Sequence, residues 1–337
     1  MGVEATEPSE RELDDLAGSL APFNPRIILT GAGFTKPWGG YLASELWSVI
    51  VSHPALRAAP ETDMDLHDQL NFEETLARVQ AEPETFRKEN GEAILWRAVL
   101  EAFAVMDSRI ARWSIEDQHT VLGDLIRDLA ATAGSSTTFF FTLNQDLFVE
   151  RTIPGCDGTL PPLVVPQGGG ALTPGDPFGG PTKVVVPVVF DPVPFRAIKG
   201  RPGYIKLHGS MNWRAGHSDL VVLGGAKAEA IARFPILRMN NAIFRRALRE
   251  KNARLLVVGY GFGDKHINEP INQAAAARNG LAIWVVDPRD PREVKHAMRN
   301  HSSLWPSVVG HSSSLTDLYG PLAPAPDRQL FHERFWK

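Results

Sequence analysis

The chain has 337 residues, of which 43% are hydrophobic, and it carries a formal net charge of -4 with an isoelectric point near 6.2. This composition allows a sizeable core and argues against a generally basic nucleic-acid-binding surface. The sequence shows neither a run of about 18 apolar residues nor a secretory signal, so we expect a cytoplasmic protein without a membrane span. Cys156 is the only cysteine, which excludes an intramolecular disulfide and a cysteine-rich zinc cluster.

The first predicted strand, Arg26–Thr30, follows a polar lead-in over residues 1–25 and ends in a glycine turn. Helical spacing of apolar residues follows over Tyr41–Val51. From about residue 55 to residue 135 the pattern stays helical, and we interpret this stretch as a helical insertion between two strands. Its three apolar stripes are Phe72, Leu76 and Val79; Leu95, Val99 and Phe103; and Val121, Leu122, Leu125, Ile126 and Leu129.

The middle of the chain changes in composition twice. Thr137–Leu143 is rich in β-branched and aromatic residues, which predicts a strand, and a helix is expected to begin in Leu147–Arg151. Residues 154–203 contain many prolines and glycines and short valine-rich runs, which predicts an extended or β-type insertion. Tyr204–Leu207 is the next predicted strand.

The last third alternates predicted helices with strands. The helices cover about residues 226–231, 240–252 and 268–278, and the strands are Arg254–Val258 and Ala282–Val286. Nearly continuous apolar strands of this kind are typical of a sheet that helices cover on both faces. We therefore predict one α/β domain over residues 26–320, followed by a C-terminal tail over residues 321–337.

Four predicted strands end in polar or glycine-rich residues. These endings are Gly31-Ala32-Gly33, Asn144 with Asp146, His208-Gly209, and Gly259-Tyr260-Gly261-Phe262-Gly263-Asp264. In an open α/β sheet the carboxyl ends of the strands form the ligand crevice. We therefore expect one composite site built from four distant parts of the chain.

Each ending has a structural interpretation beside the functional one. A glycine turn between a strand and a helix can cradle a phosphate, but Lys36 stands where the dehydrogenase fingerprint has its third glycine. Asn144 and Asp146 offer an amide and a carboxylate to a ligand, or form an Asx turn or helix N-cap. His208 is suited to general-base work or to a structural hydrogen bond.

The remaining candidates carry less information. Asp287 follows the strand Ala282–Val286 and can bind ribose hydroxyls or start a turn before Pro288. His217 and His266 fall in predicted loops or turns, and neither is a leading functional candidate. The sequence contains no HxxxH or HExxH pair, which disfavours a catalytic metal site.

Together these motifs resemble the sirtuin family. Thr30–Thr35 looks like the family's GAGxS phosphate loop, and Thr142–Asp146 looks like its TQNID motif. Leu207-His208-Gly209 matches the catalytic histidine-glycine pair, and Gly259–Asp264 is similar to the GYSFxD variant of bacterial sirtuin-like defence proteins. The motifs occur in the family's order and span about residues 26–290.

The resemblance implies a Rossmann-like parallel sheet that binds NAD. In that fold Asn144 would contact the nicotinamide ribose and position the nucleophile, and His208 would act as base at a ribose hydroxyl or at water. Asp146 would contact the nicotinamide carboxamide. The other implied NAD contacts are Gly31, Ala32, Gly33 and Thr35 in the phosphate loop, Gly259 and Gly261 on the adenosine side, and Asp287 at its ribose.

The departures from the family pattern direct the functional prediction. Sirtuin deacylases carry four zinc-binding cysteines and a GIPDFR stretch, whereas this chain has one cysteine and Pro37–Leu42 at that place. The resemblance is therefore to zinc-less antiphage sirtuins, and it implies an NAD glycohydrolase with NAD as substrate and no bound zinc. An NAD- or ADP-ribose-binding regulatory subunit without turnover and a protein deacylase are the alternatives. Members of this size lead us to expect a homo-oligomer that works with a separate subunit such as a HerA-type ATPase.

Overall fold

The computed structural model describes residues 24–58, 91–112, 115–132, 137–155, 183–186, 202–224, 227–301 and 303–336. Within these residues the core element is a six-stranded sheet in which every strand pair is parallel. Its strands are β1 (Arg26–Thr30), β2 (Thr138–Thr142), β4 (Gly203–Lys206), β7 (Arg254–Val258), β8 (Ala282–Val286) and β9 (Val308–Ser312). They lie side by side in the order β4-β2-β1-β7-β8-β9.

This order is that of the doubly wound, Rossmann-like sheet, in which the chain proceeds outward from β1 in one direction and then in the other. The predicted fold class is thereby confirmed. The predicted bounds of β1, β7 and β8 match the observed strands residue for residue. A second, three-stranded sheet contains β3 (Val184–Val185), β5 (Gly209–Ala215) and β6 (Ser218–Val221) in the order β3-β5-β6.

Helices connect the strands and cover both faces of the sheet. Those described between β1 and β2 are α1 (Ala32–Thr35), α2 (Ala43–Val51), α3 (Pro54–Arg57), α4 (Gly91–Arg112) and α5 (Ile115–Thr132). The later ones are α6 (Phe148–Gly155), α7 (Lys227–Arg233), α8 (Pro235–Arg249), α9 (Lys265–Ala276), α10 (Pro291–Ala297) and α11 (Ala325–Phe331). None of the described helices combines the length and the hydropathy that a membrane span needs.

The two faces of the sheet form two separate hydrophobic cores because side chains alternate along each strand. On β1, Ile28 belongs to the core beneath α2, α4, α5 and α6. Ile27 and Leu29 point the other way, into the core beneath α8, α9 and α10. A third cluster, which includes Trp213 and Leu237, packs the small sheet against α7 and α8.

Two of the three stripes predicted for the helical insertion are buried as expected. Leu95, Val99 and Phe103 lie on α4, and the stripe from Val121 to Leu129 lies on α5. The third stripe, Phe72, Leu76 and Val79, lies outside the described residues. So do most of the predicted Gly/Pro-rich insertion, including Cys156, and residues 1–23 of the lead-in.

The C-terminal segment differs from the tail predicted for residues 321–337. Helix α11 and the π-helical turn His332–Trp336 pack onto the sheet, with Phe331 and Phe335 fully buried against Trp284 of β8. Trp336 is buried as well, and its indole N–H donates a hydrogen bond to Asp128 of α5. The segment therefore completes one face of the core instead of lying outside the domain.

Candidate active site

A cavity opens where the strand order reverses between β1 and β7, the position at which doubly wound sheets bind their ligands. Its volume is about 630 Å³, within the range of about 300–1,000 Å³ that is common for ligand pockets. The structure brings all the predicted site residues together around it: Gly31, Ala32, Gly33, Thr35, Asn144, Asp146, His208, Gly259, Gly261 and Asp287. Apolar side chains complete its wall, among them Leu46, Phe103 and Met106.

The two glycine turns pack directly against each other at the base of this cavity. The backbone N–H of Gly33 donates to the carbonyl of Gly259 at 2.9 Å, and that of Gly31 donates to Val258 at 3.0 Å. A Cβ on Gly33 would lie 2.8 Å from the Cα of Gly259. The N–H groups of Gly31 and Gly33 are therefore already hydrogen-bonded within the protein. Close backbone contact between β1 and β7 explains why both positions are glycine.

Thr35 joins the two side chains predicted to recognise the nicotinamide end of the ligand. Its hydroxyl donates to Oδ2 of Asp146 at 3.0 Å and lies 3.4 Å from Nδ2 of Asn144, which is a weak donor contact. Asp146 also accepts a hydrogen bond from the backbone N–H of Phe148 at the start of α6. The structural interpretation of Asp146 as an Asx-type cap therefore holds, and the same carboxylate lines the cavity.

Ionisation of the Asp146 carboxyl is unfavourable because the group is buried. Burial raises its pKa from 3.8 to about 6, although Lys206 and the hydrogen bonds from Phe148 and Thr35 favour the ionised form. Glu150 raises the pKa further. At neutral pH the group is therefore mostly ionised, but its charge costs folding free energy.

A buried lysine fixes the loop that carries Asn144 and Asp146. Lys206, at the end of β4, forms an ion pair with Glu150 of α6 at 2.8 Å, and both side chains are almost completely buried. Its ammonium also donates to the backbone carbonyl of Asp146 and to the hydroxyl of Ser210. One ion pair and two hydrogen bonds thus tie the loop to α6 and to β5, so the positions of Asn144 and Asp146 depend on this cation.

His208 enters the cavity from the loop between β4 and β5. Gly209 follows with φ of 75°, and a Cβ there would lie 2.2 Å from the carbonyl oxygen of Leu220, so the histidine-glycine pair requires glycine at its second position. His208 is 2% exposed, and burial lowers the pKa of its imidazole to about 3. The side chain is therefore neutral at physiological pH.

The partner of His208 is a second histidine that the sequence did not identify. Nε2 of His208 lies 2.8 Å from Nε2 of His266, in the first turn of α9. Asp264, the N-cap residue of α9, forms a buried ion pair with Lys227 of α7. The prediction of a loop or turn at His266 is thus wrong, because α9 begins at the cavity and directs this side chain to His208.

Burial governs the electrostatics of this cluster too. Burial lowers the pKa of His266, and the positive charge of Lys227 lowers it further, whereas the Asp264 carboxylate raises it. For Asp264, burial opposes ionisation, but His208, Lys227 and His266 outweigh it, and the pKa of the carboxyl lies below its ordinary value. The four groups therefore combine one ion pair with two imidazoles that are neutral at physiological pH.

His208, Asp264 and His266 have the spacing of metal ligands among the described residues, with their ligand atoms within 4.8 Å of one another. Two imidazole nitrogens bound to one tetrahedral zinc would lie about 3.4 Å apart. The observed 2.8 Å is a hydrogen-bond distance, and Asp264 is already paired with Lys227. The geometry is that of a histidine dyad beside an ion pair.

Asp287 lines the cavity from the end of β8. Its carboxylate accepts two hydrogen bonds from the guanidinium of Arg289, at 2.8 and 2.6 Å, and one from the backbone N–H of the same residue. Both the turn expected before Pro288 and the exposure of this acid to the cavity are therefore present. A ligand hydroxyl at Asp287 would share the carboxylate with Arg289.

Comparisons with known proteins give one family match and one similar solved structure. Residues 138–305 match the model of a family described as the SIR2-like domain. No curated protein matches the sequence. The chain is similar, at 13% identity and a TM-score of 0.41, to a solved structure described as a Sir2 homologue–NAD complex, over 99% of this chain and 96% of that one.

The family match begins at β2 and ends just before β9, so it includes Asn144, Asp146, His208, Gly259 and Asp287. The turn after β1 lies outside it and joins the site through its contacts with Gly259. Residues 138–305 of the chain are thus similar to a SIR2-like domain.

Proposed function

We propose that the protein is an NAD glycohydrolase that cleaves NAD to nicotinamide and ADP-ribose. The observation that carries the proposal is the convergence of Asn144, Asp146 and His208 on one cavity at the switch point of a Rossmann-like sheet. The match to a SIR2-like domain supports NAD as the substrate. The size of the cavity and its mixture of apolar walls and few polar groups also suit a dinucleotide.

The proposed reaction breaks the bond between C1′ of the ribose and the nicotinamide nitrogen. Positive charge develops on the ribose as this bond breaks, and preorganised polar groups in a closed pocket stabilise it best. Asp146 accepts a hydrogen bond from the carboxamide and its negative charge lies near the developing cation. Asn144 holds the attacking water on the face opposite the leaving nicotinamide, and His208 accepts the proton of that water.

The orientation of these groups is supported by contacts already present without ligand. Thr35 contacts both Asn144 and Asp146, and Lys206 anchors the backbone of the same loop. Side chains that are held by neighbours lose less entropy when the substrate binds.

We further propose, from the sirtuin resemblance, a role in antiphage defence by NAD depletion, in the cytoplasm and without direct nucleic-acid binding. In the same proposal the protein is a homo-oligomer that acts with a subunit such as a HerA-type ATPase.

One observation favours a second candidate, a module that binds NAD or ADP-ribose and reports to a partner without turnover. Burial lowers the pKa of His208 to about 3, and such a weak base is poorly matched to proton abstraction near neutral pH. In this reading the ligand raises the melting temperature by mass action but is not consumed.

The two candidates are separated by mixing purified protein with NAD and measuring nicotinamide by chromatography, alone and with any partner subunit. A glycohydrolase releases nicotinamide, and Asn144→Ala and His208→Ala abolish the release while circular dichroism stays unchanged. Thermal stabilisation by NAD with no nicotinamide in either condition would support the sensor. Removal of acyl groups from a peptide only when NAD is supplied would support the deacylase instead.

A further inference from the structure

The histidine dyad poses a chemical problem for the proposed reaction. His208 is almost completely buried, so a positive charge on its imidazole is strongly disfavoured. A base that cannot keep a proton must pass it on. Among the described residues, the imidazole of His208 has one hydrogen-bond partner, His266, through the two Nε2 atoms.

His266 is less buried than His208, so a positive charge costs less on its imidazole. It is partly exposed, so its charged form keeps contact with water. It also lies beside the Asp264 carboxylate, which favours a protonated imidazole, whereas Lys227 opposes it. The ion pair between Lys227 and Asp264 holds that carboxylate next to α9. A proton is therefore more stable on His266 than on His208, and its transfer from His208 to His266 is favourable.

We propose that His266 is a proton-relay residue that accepts the proton of His208 and delivers it to solvent. The inference rests on the proposed glycohydrolase function. As the water oxygen forms its bond to C1′, one water proton moves to Nδ1 of His208, and the proton on Nε2 of His208 moves to Nε2 of His266. The electron pair of the C1′–N bond leaves with nicotinamide. His266 then loses its proton to bulk water, and the balance is NAD plus water giving ADP-ribose, nicotinamide and one proton.

The relay requires one tautomer in the resting protein, with the shared proton on Nε2 of His208. It also requires that His266 is protonated before His208 when the pH falls. The charged and titratable groups that act on the dyad are Asp264, which favours protonation of both rings, and Lys227, which opposes it. Both requirements are properties of the protein without NAD and can be measured whether or not it turns NAD over.

The kinetic experiment compares His266→Gln with the matched control His217→Gln, whose side chain is exposed in the turn between β5 and β6. Glutamine keeps a hydrogen-bonding group but cannot carry the proton. We expect kcat of His266→Gln to fall about 100-fold, the lower end of general-base effects, with KM changed by less than about twofold. The control should match wild type. In His266→Ala, added imidazole should restore at least a tenth of the lost rate, because the site is open to solvent.

The pH profile gives a readout that a packing role would not move. Wild-type kcat should fall on the acid side as His266 becomes protonated and can no longer accept a proton, and this limb should be absent in His266→Gln. Nitrogen NMR of labelled histidine supplies the test on the wild-type protein alone. It should report His208 protonated at Nε2 at neutral pH, and His266 titrating at higher pH than His208.

Several results would overturn the relay. They are an unchanged kcat in His266→Gln, protonation of His208 before His266, or loss of turnover on chelation that zinc restores, which would make the cluster a metal site. In the first case wild type still releases nicotinamide, so the proposed function survives and only the relay fails. If NAD raises the melting temperature of the wild-type protein but nicotinamide is never released, the relay and the proposed glycohydrolase function both fail.

Discussion

Replacing Asp146 by asparagine should make the protein more stable at neutral pH, although the residue lies at the centre of the candidate site. The substitution keeps an oxygen for the N–H of Phe148 and removes a charge that burial disfavours. The pKa of this carboxyl is raised from 3.8 to about 6 on folding. Each pH unit between the folded and unfolded pKa corresponds to about 1.4 kcal/mol, so the ionised form costs about 3 kcal/mol.

The sign of the pH dependence follows from the raised pKa. Below pH about 4 the carboxyl is protonated in both the folded and the unfolded states, so Asp146→Asn and wild type should be equally stable. Wild type loses stability relative to Asp146→Asn as the pH rises from about 4 to about 6, and the difference is constant above that range. Lys206 reduces the cost and Glu150 increases it, so both must stay unchanged in the comparison.

The assay is thermal unfolding followed by circular dichroism at pH 4 and pH 7.5. For 3 kcal/mol we expect a melting temperature about 5 °C higher for Asp146→Asn at pH 7.5, and a difference of only about 1 °C at pH 4, where the carboxyl is partly ionised in the unfolded state. Asp327→Asn, at an exposed position on α11, is the matched control and should shift the melting temperature by less than about 1 °C. A lower melting temperature for Asp146→Asn at pH 7.5 would refute the reasoning, because the carboxylate would then be stabilising.

Three further substitutions test other contacts. Gly33→Ala should destabilise the protein by about 2 kcal/mol or more in urea unfolding because its Cβ meets the backbone of Gly259, whereas Gly263→Ala, which has open space, should be neutral; equal effects would contradict the close packing of the turns. Lys206→Met should cost about 3–5 kcal/mol by leaving Glu150 buried without its partner, and adding Glu150→Gln should recover part of the loss; no recovery would count against the ion pair. Phe335→Ala should cost about 3–5 kcal/mol by chemical denaturation, whereas a tail outside the core would tolerate it.

The parts of the fold that the sequence predicts well are those with strong local patterns. The strands β1, β7 and β8 are continuous apolar runs, and their predicted bounds agree with the structure. The sequence does not predict the hairpin of β5 and β6, because its buried positions include the polar residues Ser210 and Asn212. Hydrogen bonds stabilise these two side chains in the interior. The apolar alternation of Met211, Trp213 and Ala215 is short, and Ser210 and Asn212 between them are buried as well, so one apolar face does not stand out.

In the site, too, features set by local sequence patterns are predictable, whereas contacts between residues far apart in the chain are not. Strand ends at one edge of a parallel sheet must converge, so the sequence could predict that Asn144 and His208 share a cavity. It could not predict the dyad, because His266 lies 58 residues from His208 and becomes its partner only when α9 starts at that edge. Nor could it distinguish the two reasons for glycine at position 33, since phosphate approach and backbone packing both exclude a side chain.

The most direct measurement of the central claim is the stoichiometry of products from NAD with purified protein, with Asn144→Ala and His208→Ala alongside. The account predicts nicotinamide and ADP-ribose in equal amounts from the wild-type protein, and at least about a 100-fold lower rate from either variant at unchanged circular dichroism. Equal rates from the wild-type protein and the two variants would contradict it, since the amide and the imidazole that line the cavity would then have no part in the chemistry.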